Sequence, residues 1–99
     1  MEVYNVLSFQ KATDPYIFDL YVLGSYGTLE EAKKSIFDSY EMVNEGYKNY
    51  PNYENLKIDL DNIKFEYSDY LVVGGSYFLS CVYTKRNDHY YIIVRRTLK

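Results

Sequence analysis

The chain has 99 residues, of which 47% are apolar and 25% charged, with a formal net charge of −3. That composition excludes a disordered tail, a collagen-like repeat and a polar linker, and it predicts one small domain, residues 1–99, around one modest core. No apolar run is longer than Tyr90–Val94, so no membrane span is expected, and Met1-Glu2-Val3-Tyr4 lacks the basic start of a secretory signal. The reading that follows is a cytoplasmic protein.

Residues 3–9 and 16–23 alternate in the style of strands and are predicted to form an antiparallel hairpin, with Asp14-Pro15 marking its loop. Gly24-Ser25-Tyr26-Gly27 is read as the end of the second strand. Thr28 then stands three residues before Glu31, a capping-box spacing, with Glu30 and Glu31 in the first turn where the helix dipole favours acids. Leu29, Ala32, Ile36, Tyr40, Val43 and Tyr47 recur by threes and fours, which predicts an amphipathic helix over about 28–46 with Gly46 as its stop.

Pro51 and the absence of an apolar period make residues 47–53 a loop. Leu56, Ile58 and Leu60 alternate, as do Ile63, Phe65 and Tyr67, which predicts two short strands about an Asp61-Asn62 turn, with all six residues on one face. A second helix through Tyr53, Leu56, Leu60, Ile63 and Tyr67 is the competing pattern. Tyr70–Val73 followed by Gly74-Gly75 reads as a short buried strand with a break. Residues 77–85 and 90–97 form the clearest hairpin, turning at Asn87-Asp88. Its register places Leu79, Cys81, Tyr83, Tyr90, Ile92 and Val94 on one face, expected to lie under the helix. The fold class is therefore α+β, a mainly antiparallel sheet of about five to six strands with one helix on one side.

The chemistry-bearing residues are sparse. Cys81 is the single cysteine, so no intrachain disulfide or cysteine metal cage is expected, and it reads as a small core residue. His89 is the single histidine, read as a solvated turn residue rather than a catalytic base. Asp59, Asp61, Glu66 and Asp69 read as a solvated face, and no calcium loop, Walker lysine or dinucleotide glycine pattern is present. No catalytic residue, metal or cofactor is predicted.

Two features point to binding. The 14 tyrosines supply rings with polar tips, as interfaces use, and Tyr47, Tyr50 and Tyr53 crowd one loop flanked by Glu45 and Glu54. These five residues are the predicted protein-binding surface. Charge is also lopsided: residues 1–70 hold 6 basic and 13 acidic groups, whereas residues 71–99 hold 5 basic and 1 acidic. Lys85, Arg86, Arg95 and Arg96 on the C-terminal hairpin form the alternative, a nucleic-acid-binding ribbon. A pocket between helix and sheet lined by Tyr26, Tyr40 and Tyr83 is the second alternative, in which the domain takes a small molecule or is an enzyme.

No motif marks a family. In size, acidity and aromatic content alone, the chain resembles the small inhibitors that phages and mobile elements direct against host defence nucleases, of the anti-CRISPR and anti-restriction types. That resemblance implies a non-enzymatic module that binds a nucleic-acid-processing enzyme through an acidic, tyrosine-rich surface, in the host cytoplasm if a phage encodes it. Self-association is left open by these residues.

Overall fold

The computed structural model describes residues 1–11, 18–87 and 89–98. Strand β1 (Glu2–Lys11) and strand β2 (Phe18–Tyr26) pair antiparallel, as expected, while the Asp14-Pro15 turn lies outside the described residues. Gly24, Ser25 and Tyr26 continue β2 instead of ending it. Their partners are Val6, Asn5 and Tyr4, and the register shifts between Val6 and Leu7. Helix α1 (Leu29–Tyr47) follows, its first turn closed by the Glu31 amide donating to Thr28 Oγ1 at 3.1 Å. A cap of this kind contributes about 1 kcal/mol. Gly46 lies inside the helix rather than after it, and Lys48 caps the end in a right-handed conformation. With φ negative at that cap, nothing there calls for glycine.

Strands β3 (Glu66–Val73), β4 (Ser76–Arg86) and β5 (His89–Thr97) complete one antiparallel sheet in the order β2-β1-β5-β4-β3. Gly74 and Gly75, at φ 56° and 81°, make the two-residue turn between β3 and β4. Positive φ at both positions is what a tight hairpin turn needs, so this glycine pair is a hairpin signal and not a break. Asn87, at φ 55°, opens the turn from β4 to β5, and Arg86 pairs with His89 across it. The sheet with α1 on one face is the α+β architecture read from the sequence.

The segment between α1 and β3 corrects that reading. Residues 56–67 form neither a hairpin nor a long helix: α2 (Tyr53–Leu56) is one turn, and a 3-10 turn spans Leu60–Asn62. Asn44 on α1 supplies the reason. Its side-chain amide donates to the Ile58 carbonyl at 2.9 Å and accepts from the Ile58 amide at 2.7 Å, the two bonds a neighbouring strand would otherwise make. Asp59 then accepts from the Asp61 amide and the Asn62 side chain, closing the 3-10 turn. Apolar alternation here arises because Ile58, Leu60, Ile63 and Phe65 wedge against one side of α1 in an irregular loop.

Two cores lie on opposite faces of the sheet. Under α1, Ala32, Ile36 and Tyr40 pack with Val6, Tyr91 and Ile93, joined by Val82 of β4. Cys81, Tyr83, Tyr90, Ile92 and Val94 do share a face, but it is the face away from the helix, where Phe9 and Val73 join them. The expectation that this face lies beneath α1 is therefore wrong. Strand periodicity gives two sides, and the sequence pattern does not say which one α1 selects, because both are apolar.

Leu79 departs from both cores and is exposed. Phe78 and Cys81 both belong to the second cluster although two residues separate them, so the alternation is broken between them. Ser80, at φ 49°, is the left-handed residue at that break. Beyond it, Ser76–Leu79 pair with β3 alone, since β5 pairs with β4 only from Cys81 onward. The distal β3–β4 hairpin is thus an arm. Its inner side, Leu71, Val73 and Phe78, covers the back of the sheet, with the Phe78 ring edge-on to Phe9 at 6.3 Å.

Candidate functional site

Along α1 the sheet beneath changes character. The first half of the helix rests on Val6 and Ile93, whereas the second half faces Ser8, Gln10, His89, Tyr91, Thr84 and Arg86. These polar residues share one face because β1, β5 and β4 pair in register there: Ser8 with Tyr91, Tyr91 with Thr84, Gln10 with His89, and His89 with Arg86. Packing against polar groups is looser, and two clefts open on either side of Tyr40. One, of about 470 Å³, lies between the 57–64 loop and β4, and the other, of about 420 Å³, lies between the end of α1 and the β5 side of the sheet. Arg86, Tyr40 and Ile58 line both.

His89 is not the solvated turn residue expected. Its Nε2 is hydrogen-bonded to Ser8 Oγ at 2.6 Å, and its ring lies 4.4 Å from that of Tyr91. Burial holds its pKa below the usual histidine value, and the nearby Arg86 guanidinium adds to the effect. Tyr40 stands edge-on to Tyr91 at 5.1 Å, and burial, with the neighbouring Tyr91, pushes its hydroxyl up to about 12. The Ser8–His89 pair is not a nucleophile poised for attack: Ser8 is buried, and no carboxylate among the described residues is bonded to the imidazole. Burial also raises the Cys81 thiol, in keeping with an inert core residue. Among the described residues, no group of three or more His, Cys, Asp or Glu could hold a metal ion, and no helix is long and apolar enough to cross a membrane.

The residues expected to bind protein are only partly brought together. Tyr47 and Tyr50 meet edge-on at 6.0 Å, but Tyr47 turns into the cleft with His89 while Tyr53 lines a separate groove beside Met42 and Glu45. Tyr50 alone of the three is exposed. Glu45 is paired with Lys48, and Glu54 with Lys57 at 2.8 Å, so neither acid is a free negative charge.

The basic residues divide likewise. Lys85 and Arg86 sit at the β4–β5 turn, with the Lys85 ammonium 5.3 Å from the Tyr90 ring centre. Arg95 and Arg96 sit at the far end of β5, where Arg95 reaches Glu2 at 3.7 Å. At ~3.3 Å per residue the two pairs stand roughly 20 Å apart. Tyr26, Tyr40 and Tyr83 do not share one pocket. Tyr40 and Tyr83 line the larger cleft, and Tyr26 lies by a shallow depression with Glu31 and Lys34.

A second surface was not legible beforehand. On the outer side of the arm, Tyr70, Val72, Tyr77 and Leu79 are 58%, 55%, 66% and 63% exposed, and the Tyr70 and Tyr77 rings stack at 5.8 Å. Tyr70 pairs with Leu79 and Val72 with Tyr77, so all four project from one face. The sequence signal for it was the Gly74-Gly75 turn. Recognised as a hairpin, it would have placed these residues together.

No protein-family model, curated protein or solved structure matches this chain at a significant level.

Proposed function

We propose that this protein is a non-enzymatic protein-binding module whose contact surface is the outer face of the β3–β4 arm. The observation that carries the reading is the set of four large side chains, Tyr70, Val72, Tyr77 and Leu79, side by side and each more than half exposed. Grouped apolar and aromatic side chains in water are costly for solubility unless something covers them, and aromatic residues dominate the centres of protein interfaces. The surface differs from the Tyr47, Tyr50 and Tyr53 loop, of which only Tyr50 is exposed and whose flanking acids are paired with lysines.

Charge narrows the partner. From Glu66 to Thr84 the chain holds Glu66 and Asp69 but no lysine or arginine, so the arm's own charges are acidic, Asp69 near the apolar face and Glu66 at the base, where Arg95 of β5 also lines a hollow with Tyr67 and Ser80. The complementary surface is an apolar groove rimmed by basic residues, as nucleic-acid-processing enzymes carry along their substrate channels. Inhibition by occupying such a groove is the activity that fits.

A photo-crosslinking residue placed at position 77 tests this, with one at position 34 on the outer side of α1 as control. The expected result is a single heavy adduct from position 77, lost in Leu79→Asp, together with inhibition of the adducted enzyme by the wild-type protein. Adducts from position 50 and none from position 77 would move the surface to the tyrosine loop. A dimer of the chain itself as the sole adduct would overturn the reading of a foreign partner.

A further inference from the structure

The two clefts share Tyr40, Ile58 and Arg86 as lining, and their other walls differ in kind. In the larger one Lys64, Lys85 and Arg86 supply positive charge, Lys57 being paired with Glu54, and the two carboxylates present accept hydrogen bonds within the protein: Asp59 from the Asp61 amide and Asn62, Glu66 from the Tyr83 hydroxyl at 2.8 Å. The smaller one is walled by Tyr47, Tyr91 and the His89 ring, with the Gln10 and Asn87 side chains at its mouth. Among the described residues none of its lining is acidic. Arg86 has no carboxylate within ion-pair distance among the described residues, although the chain as a whole is acidic.

We propose that this twin cleft binds a nucleoside monophosphate, the phosphate held between Arg86 and Lys64 and the base lying against Tyr47 beside His89. Each half answers a different part of such a ligand. A guanidinium flanked by ammonium groups is suited to a phosphate, and a low-dielectric wall concentrates that attraction. Aromatic faces take a base of any identity by stacking, while side-chain amides such as Gln10 and Asn87 can pair with its edge. A plain hydrocarbon ligand would bury Arg86 without a partner, and a free phosphate would leave the tyrosine wall unused. Both volumes fall within the roughly 300–1,000 Å³ of small-ligand sites. The site is independent of the arm, whose outer residues line neither cleft.

Amide chemical-shift titration tests the proposal, using adenosine and uridine monophosphates, adenosine, inorganic phosphate and a thymidine hexamer as probes. The mononucleotides are expected to shift Tyr47, Arg86 and His89 together. Adenosine and phosphate should each bind at least 10-fold more weakly. Arg86→Ala and Lys64→Ala, both at exposed positions, should weaken mononucleotide binding, the first by 10-fold or more, while Arg96→Ala at the far end of β5 leaves it unchanged. Equal affinity for phosphate and mononucleotide would overturn the proposal. So would undiminished binding by a folded Arg86→Ala protein, or binding of the hexamer without the mononucleotides.

Discussion

Ser8 Oγ and His89 Nε2 lie 2.6 Å apart, joining residues 81 positions apart in the chain and fixing the imidazole at the polar end of the helix–sheet interface. Burial there, with the Arg86 guanidinium beside it, makes the imidazole take a proton less readily than in the unfolded chain. Its ordinary pKa is 6.5, and the folded value is lower. Its contribution to stability is therefore full above about pH 6.5 and falls as the pH drops toward the folded-state value, beneath which the loss stops growing. His89→Gln should flatten that part of the stability profile. Urea denaturation of both proteins between pH 5 and 8 measures it, and parallel profiles would show that His89 is not the group responsible.

Asn44 holds the loop that the sequence pattern mistakes for strands. Its two bonds to Ile58 are largely sheltered, so Asn44→Ala leaves a backbone amide and a carbonyl to find water. The expected loss is about 1–3 kcal/mol. Hydrogen exchange at the Ile58 amide should accelerate beyond the amount that global stability explains. Unchanged protection there would mean that Ile63 and Phe65 anchor the loop without help.

The two cores predict unequal responses to truncation. Ile36 is fully buried under α1 and Ile92 fully buried behind the sheet, so each change to alanine should cost roughly 2–5 kcal/mol. Leu79→Ala, on the exposed outer face of the arm, should stay within about 0.5 kcal/mol. Thermal melts separate these outcomes, and a large loss at Leu79 would place it in a core after all.

Ser80 holds a left-handed conformation at the base of the arm. That conformation costs a side-chain-bearing residue about 1–2 kcal/mol, while glycine adds only ~0.5–1 kcal/mol of chain entropy. Ser80→Gly should be neutral or slightly stabilising. Ser80→Val should be the more damaging by at least about 1 kcal/mol, since a β-branched side chain fits that region poorly. Equal stability of the two variants would show that the arm bends elsewhere.

Local chemistry in the sequence determined the helix start, the β1–β2 and β4–β5 hairpins and the fold class. Thr28 and Glu31 lie three apart, Asn87 tolerates a left-handed turn, and alternation along β1, β5 and the part of β4 after Ser80 is periodic whatever lies around it. Each of these signals acts within a few residues, so a pattern suffices to read it. Which face of the sheet receives α1 was settled only in three dimensions, because Val6, Val82 and Ile93 on one side and Phe9, Cys81 and Ile92 on the other are equally apolar. The cleft residues share this origin: Ser8, Gln10, Tyr40, Arg86 and His89 come from β1, α1, β4 and β5, and only sheet register sets them side by side. The exposure of Tyr70, Val72, Tyr77 and Leu79 depends likewise on a bend at Ser80, a backbone angle that serine does not announce. Pattern fixes what is periodic along the chain, whereas packing between distant segments decides which of two equivalent faces is buried.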